Sequence, residues 1–429
     1  MTEGKIVVSI DIGTSKIVSV IAKVDEYVNV LGVSEVPANG IRKGQIVDIE
    51  EAVVAINNSL EAAERMAGYN ASHIIASIGG SHIESLNSRG VVAVARPEGE
   101  ITESDLTRVI EAARAVSLPS SREIIHVLPR SYIVDGQEGI KDPIGMTGIR
   151  LEVDTHIISA NTTSIRNMEK AFSEVGVDLD AVVFSGYASS IAVLSDTEKE
   201  LGVVLADVGA GTTDISIYVE GSVAYSSVIP IGARHITNDL AIGLRISLES
   251  AEKIKLFLSS PEKKSKTTEE TGEKPPEKFT DEIDLSNLAL AEELKKVSKK
   301  TLIDGIIRPR LNELFTMVGI EVKKSGFAGQ TPSGLVITGG GAKTIGASDS
   351  AKRVLAMPVR IALAQNIKGI IDEIQEPSFS TVIGLAMYGM NTEGQSSLPF
   401  GLSVLQISNL RFNNKIFSKI LSFIKSFLP

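Results

Sequence analysis

GVVLADVGAGTTDISIYVE, residues 202–220, repeats the pattern of KIVVSIDIGTSKIVSVIAK, residues 5–23. In both, an apolar run meets Asp-x-Gly, turns through small residues and continues as a second apolar run. Asp207 falls on Asp11 and Gly209 on Gly13, at an offset of 196 residues. Short apolar runs bounded by glycine turns read as buried strands, so each copy is a β-hairpin. Solenoid repeats recur every ~20–50 residues; copies this far apart imply two related α/β domains. Two unrelated hairpins with a common turn are the plainer alternative.

Outward from the first copy, VNVLGVSEV adds a third strand, and Ile49–Met66 follows helical spacing with Val53, Ile56, Leu60 and Ala63 on one face. IIASIGG reads as a short buried strand. Residues 84–160 look like a small unit of their own, with strands at GVVAVA, EIIHVLPRSYIV and LEVDTHIISA. The run Thr102-Glu-Ser-Asp105 caps a helix through Ala115. Helices are expected near Ser164–Val175 and Tyr187–Leu194. Beyond the second copy, 12 of the 22 residues from 261 to 282 are charged and Pro275-Pro276 blocks a helix, so this reads as a disordered insertion. A helical stretch is expected through Ser286–Leu314, then a buried strand entering a glycine turn at GLVITGGGAKT. The expected division is a first domain at 1–83 and 161–200 and an inserted unit at 84–160. The second domain has its core at 201–229 and 311–390 and a small lobe at 230–310. A linker at 391–412 and an amphipathic helix at 413–429 complete it.

The chain has 429 residues, 43% of them apolar and 22% charged, which allows two to three soluble domains. There is no cysteine, so disulfide scaffolds and thiolate sites are excluded. The five histidines show no metal-ligand spacing. A net charge of −10 with 4% aromatic residues argues against a nucleic-acid binder. No run approaches the ~20 apolar residues of a membrane span, and MTEGKIVVSIDIG does not read as a signal peptide. A cytoplasmic protein is expected.

Three glycine turns each follow an apolar strand: Asp11–Lys16, Asp207–Asp214 and Thr338–Ala342. Glycine lets backbone N–H groups approach an anion, so such turns cradle phosphates, and Thr14, Ser15, Thr212 and Thr213 add hydroxyl donors. Asp11 and Asp207, one from each copy, suit binding of Mg²⁺ through its water shell. A P-loop is excluded because Ile337 and Ala342 stand where glycines are required. A Rossmann fingerprint fails because Asp214 stands at its third glycine.

With VVSIDIGTSK, VVLADVGAGTTD and VITGGGA together, the chain resembles the actin-like ATP-binding superfamily. Through HVLPRSYIVDGQEGIKDPIGMTGIRLEV at 126–153 and its tail, it resembles the FtsA family of bacterial cell-division proteins. The likeness covers nearly all of the chain, and 84–160 matches the subdomain peculiar to that family. The resemblance implies an α/β actin-like duplicated fold with ATP and Mg²⁺ held between the halves. Asp11, Gly13, Thr14, Ser15 and Lys16 would form the first phosphate turn. Asp207, Gly209, Gly211, Thr212 and Thr213 would form the second. Gly339, Gly340 and Gly341 would lie at the adenosine. Glu252 and Lys255 resemble residues flanking the adenosine, though as a surface pair they could equally be solvated charges. Related chaperones carry a catalytic Glu where this chain has Ser185, so hydrolysis is expected to be slow or absent. The family implies self-assembly into filaments, recruitment of later divisome proteins, and docking of the FtsZ C-terminal tail on the 230–310 lobe, with Arg310 as a candidate contact. A type IV pilus assembly protein and a small-molecule kinase of the same fold are the alternatives.

The tail, RFNNKIFSKILSFIKSFLP at 411–429, has four basic residues and no acid. At ~100° per residue, Ile416, Phe417, Ile420, Leu421, Phe423, Ile424, Phe427 and Leu428 share an arc of roughly 160°. Lys415, Lys419 and Lys425 lie opposite with Ser418, Ser422 and Ser426. Such a helix either docks on its own domain or lies in the interface of an anionic membrane. The linker before it, the Phe and Ile content and the uniform positive charge favour the membrane, as does the family, in which such a tail is the anchor. The tail carries +4, leaving −14 on the rest of the chain.

Overall fold

Buried strands that alternate with amphipathic helices build the same sheet twice. The computed structural model describes residues 4–95, 99–260, 281–370 and 374–391. The first copy opens with the hairpin β1 (Lys5–Ile12) and β2 (Lys16–Val24), followed by β3 (Val28–Pro37) and a short ribbon, β4 (Ile41–Arg42) with β5 (Gln45–Ile46). Helix α1 (Ile49–Ala67) starts where the Asp48 side chain accepts the Glu51 N–H and stops at Gly68, φ 63°. It buries Ala52, Ile56, Leu60 and Ala63 against the sheet, with Val53 at the margin of that face. Strand β6 (His73–Ile78) then runs parallel to β1.

Next come β7 (Glu84–Ala93), α2 (Glu103–Arg114), β8 (Arg122–Val134), β9 (Gln137–Ile140) and β10 (Arg150–Asn161). Their sheet, β7-β10-β8-β9, closes over its own core of Val109, Tyr132, Leu151 and Val153. Asp105 reaches back to the Thr102 N–H at 3.0 Å, completing the expected start of α2. Helix α3 (Thr162–Val175) and β11 (Asp178–Phe184) finish the first sheet, and α4 (Ser185–Val193) and α5 (Asp196–Leu201) lead out of it.

The second copy runs β12 (Val203–Val208), β13 (Thr213–Val219), β14 (Ser222–Ile229), α6 (Ala233–Leu244), α7 (Leu248–Ser259), β15 (Glu282–Asp284) and β16 (Lys296–Ser298). It continues with α8 (Arg308–Lys324), β17 (Leu335–Thr338), α9 (Ala347–Leu355), β18 (Val359–Ile361), β19 (Ile367–Gly369) and α10 (Ser380–Asn391). Its sheet order, β18-β17-β12-β13-β14, reproduces β11-β6-β1-β2-β3 with the same strand polarities. The duplication read from two hairpins is thus a duplication of whole sheets. No helix among the described residues is long and apolar enough to cross a membrane.

Two expectations change. The stretch 286–314 is not one helix. Ile283 pairs with Val297 across β15 and β16, and Ala289 turns the chain at φ 46°. Leu288, Leu290 and Leu294 then pack on the second core, and this tertiary burial outweighs local helix propensity. A π-helical turn follows at Thr301–Ile307. It widens the helix just before Pro309, whose ring would clash with a regular i−4 carbonyl. The end of the 311–390 segment, expected in the second domain, also meets the first. There β19 pairs with β3 at the edge of the first sheet, and α10 crosses back to pack on α4.

Helices α4 and α10 form the layer between the two sheets. Val18 of the first sheet, Ala188 of α4, Leu205 of the second sheet and Ile383 of α10 belong to one continuous core. The crossing is backbone to backbone, since a Cβ at Gly384 would lie 1.8 Å from the Ala188 carbonyl oxygen. Gly384→Ala is expected to lower stability by about 2–3 kcal/mol, read as a lower midpoint in urea. Gly329→Ala, at a position with nothing within 4 Å, should stay within about 0.5 kcal/mol.

Candidate functional site

The two hairpin turns face a single cavity of about 910 Å³. The turns have the same construction: the Gly13 N–H donates to the Lys16 carbonyl at 3.1 Å, and the Gly209 N–H to the Thr212 carbonyl at 2.9 Å. A Cβ at Gly13 would lie 2.6 Å from the Lys16 oxygen, so a tighter approach is possible only with glycine. The third turn closes the same space. Gly339 sits at φ 82°, and a Cβ there would meet Asp207 Oδ1 at 2.2 Å. The structure therefore brings together Asp11, Gly13, Thr14, Ser15, Lys16, Asp207, Gly209 and Thr212 with Gly339, Gly340, Gly341, Glu252 and Lys255, all on the cavity wall.

Gly211 and Thr213, also expected in the second phosphate turn, are not on the cavity wall. Gly211 packs against the opposite turn, where a Cβ would come 2.8 Å from the Thr14 side chain. Thr213 already belongs to β13, where its hydroxyl donates to the Ile231 carbonyl at 2.7 Å. Its side chain is committed to holding the start of α6. Lys16 reaches the wall but is occupied: its ammonium pairs with Glu35 at 2.5 Å and lies 4.5 Å from the centre of the Phe379 ring. Lys255 is buried, with its ammonium on Glu252 at 2.7 Å and on Thr237 Oγ1 at 2.9 Å. Lys255 is thus built into the wall, while the Glu252 side chain remains 42% exposed.

The carboxylates dominate the electrostatics. Asp11 accepts the Ser77 hydroxyl at 2.6 Å, and Ser77 in turn accepts the Ile12 N–H at 2.8 Å. Burial pushes the Asp11 carboxyl up, against the opposing pull of Ser77 and Lys16. Burial pushes Asp207 up to about 6, with Thr381 drawing it down and Asp11 adding to the rise. Asp214 is pushed well above the carboxylate range by burial and then by Asp207 and Asp11, and its Oδ1 is buried without a hydrogen-bond partner. Asp214 is the site residue that motif reading passed over. The signal was present, because the repeat puts Val18 at its place in the first copy, and a carboxylate replacing valine on a buried strand is costly unless paired.

These residues fit an anionic ligand accompanied by a divalent cation. Glycine turns leave room for phosphate oxygens, and an orphaned buried carboxylate oxygen calls for a positive partner. Two carboxylates beside such turns suit contact with a divalent cation through the ion's own water. No carboxylate occupies the Ser185 position. Its hydroxyl donates to the Ile78 carbonyl at 3.1 Å, while the Asp214 carboxylate lies beside it across Gly79. Arg310 lies away from the cavity on α8, gripping Asp239 at 2.6 and 2.9 Å and Glu313 at 2.5 Å. Lys415, Ile416, Phe417, Lys419, Ile420, Leu421, Phe423, Ile424, Lys425, Phe427 and Leu428 lie outside the described residues, as do 261–280 and the linker from 392.

Comparison with known proteins agrees with this architecture. The family described as "SHS2 domain inserted in FTSA" matches residues 80–159, and "Cell division protein FtsA" matches 204–384. The chain is 37% identical to the cell division protein FtsA of Pseudomonas aeruginosa, over 91% of this chain and 90% of that one. It is 38% identical to that of Borreliella burgdorferi, over 97% of each. Among solved structures it resembles a PilM-PilN type IV pilus biogenesis complex with a TM-score of 0.62 at 14% identity, covering 90% of this chain and 98% of that one. It also resembles MreB 5 of Spiroplasma citri bound to AMPPNP, with a TM-score of 0.52 at 12% identity, covering 97% of this chain and 98% of that one. At those identities the structures speak for the fold: the duplicated sheets are actin-like.

The raised carboxyls give the ligand-free protein a definite pH response. Asp207 and Asp214 hold protons more tightly folded than unfolded, so their contribution to stability is greatest below the usual carboxylate range. It declines as pH rises from about 4 through 6 and beyond. Asp214→Asn should flatten that decline and raise ligand-free stability at pH 7 by roughly 1–3 kcal/mol. Thermal melting between pH 5 and 8 measures it, and a variant whose melting curve tracks the parent at every pH contradicts the assignment.

Proposed function

Because the chain belongs to the FtsA family of cell-division proteins, we propose that it is an actin-like division protein that binds ATP with Mg²⁺ between its two halves. The observation that carries this reading is the convergence of Asp11, Asp207 and three glycine turns on one cavity. In it, the backbone and hydroxyls of Gly13–Lys16 and of Gly209, Ala210 and Thr212 would hold the phosphates. Asp11 and Asp207 hold the water shell of the cation, and the Glu252–Lys255 pair and Gly339–Gly341 flank the nucleoside. A bound Mg²⁺ supplies the positive charge that offsets both the phosphates and the buried carboxylates. With Ser185 where a water-orienting acid would stand, turnover lacks a contribution typically worth ~10²–10⁴-fold. A fluorescent ATP analogue should bind the purified protein, and Asp207→Asn should weaken that binding at least tenfold in Mg²⁺. Rapid Mg²⁺-dependent phosphate release by the purified protein would overturn the slow-turnover reading.

The same reading places the protein at the cytoplasmic face of the membrane at the division site, as a polymerising tether for the tail of the tubulin-like FtsZ and a platform for later division proteins. The basic amphipathic sequence 413–429 supports reversible attachment to anionic lipid. Filament formation would multiply many such weak anchors into a strong one. The FtsZ tail docks on the lobe that carries Arg310. Vesicles of anionic lipid should cosediment the full-length protein with ATP, form membrane-bound filaments visible by electron microscopy, and recruit an FtsZ tail peptide. Phe423→Glu with Phe427→Glu should leave nucleotide binding intact and the protein in the supernatant; unchanged cosedimentation contradicts the anchor.

A further inference from the structure

The two cleft carboxylates occupy equivalent places in the repeat but are held by different parts of the chain. Asp11 is held from within its own sheet. The register Ser9 to Ile75 and Ile10 to Ala76 brings Ser77 of β6 level with Asp11, and its hydroxyl donates to Oδ1 at 2.6 Å. The corresponding residue of the second sheet is Thr338 of β17, which pairs with Asp207 in the ladder. Thr338 does not take the role of Ser77. Its hydroxyl lies 2.7 Å from Ser380 Oγ, 3.2 Å from the Ala362 carbonyl and 3.4 Å from the Pro377 carbonyl.

Asp207 is held instead by the helical layer between the sheets. Thr381 in the first turn of α10 donates to Oδ2 at 2.9 Å, and Ser189 of α4, fully buried with its hydroxyl on the Gly186 carbonyl at 3.4 Å, adds a smaller downward pull on the same carboxyl. The other oxygen, Oδ1, faces Gly339, where a Cβ would lie only 2.2 Å away. A carboxylate otherwise swings freely about its last torsion. With Oδ2 tied to Thr381 and Oδ1 set against a bare glycine, rotation of the group is restricted where Asp207 lines the cavity.

We propose that Thr381, backed by Ser189, is the positioning residue that aims Asp207 at the hydrated divalent cation of a bound nucleotide. The second half's share of cation binding is then set by α4 and α10, not by its own sheet. This rests on the nucleotide reading above. Partners of this kind behind a metal-binding group are typically worth about 10–100-fold in metal affinity.

The test uses the full-length protein, a fluorescent ATP analogue, and titration with Mg²⁺ against a parallel measurement in EDTA. Thr381→Val keeps the shape and removes the donor. It should raise the Mg²⁺ concentration for half-maximal enhancement of binding by roughly tenfold and leave affinity in EDTA within about twofold. Thr381→Ser, which restores a hydroxyl, should recover the parent response, and ligand-free melting should report both variants as folded. An unchanged Mg²⁺ response in Thr381→Val overturns the proposal. So does an equal loss with and without Mg²⁺, the signature of a packing residue. Parent protein that binds no analogue in either condition overturns the nucleotide reading itself, and this proposal with it.

Discussion

The crossing of α4 and α10 is the contact on which the rest of the molecule depends. Two sheets of the same order need a shared layer if each is to bury its inner face, and among the described residues α4 and α10 supply it. They approach until Gly384 touches the Ala188 carbonyl, a separation that no residue with a side chain permits. That layer ties Val18 and Leu205, from opposite copies, into one core. It also fixes the distance between the two Asp-x-Gly turns, so the cavity between them is a consequence of helix packing.

Given that frame, the electrostatics of the cleft follow. Asp11, Asp207 and Asp214 sit on paired strands at the cleft, where burial raises each carboxyl; Asp11 adds to the rise of Asp207, and both add to that of Asp214. Hydroxyl donors offset part of this: Ser77 for Asp11, and Thr381 with Ser189 for Asp207. Asp214 Oδ1 has no such donor. The site is therefore under-compensated without a cation, an arrangement that favours binding over ligand-free stability. The inserted sheet β7-β10-β8-β9 reaches the same neighbourhood from another side. His126 on β8 accepts the N–H of Phe184, the residue just before Ser185, at 3.0 Å. His156 on β10 joins Asn87 to Ser226 of β14.

Much of the site was legible because its physical requirements are local. An anion cradle needs glycines next to a strand end, and those fall within six or so consecutive residues, as at Asp11–Lys16 and Thr338–Ala342. Misreadings arose where long-range contact decides. Thr213 looks like Thr212 in sequence, yet strand alternation turns it toward Ile231. Leu288, Leu290 and Leu294 lie in a stretch expected to be helical, yet their packing on the second core goes with a turn and a two-stranded ribbon. Asp214 required comparison with Val18 in the first copy before its burial could be noticed.

By itself the sequence determined the duplication, the three turns, the two leading carboxylates and the charge division between an acidic body and a basic tail. Each of these is written in residues adjacent along the chain or in a repeat that can be aligned. Tertiary structure alone decided which of the small and hydroxyl residues reach the cavity. It also decided that Lys16 is paired with Glu35, that β19 and α10 return to the first half, and that Asp207 depends on Thr381. Thr381 lies 174 residues from Asp207. No local pattern links them, and only the packing of α10 between the sheets brings that hydroxyl to its acceptor.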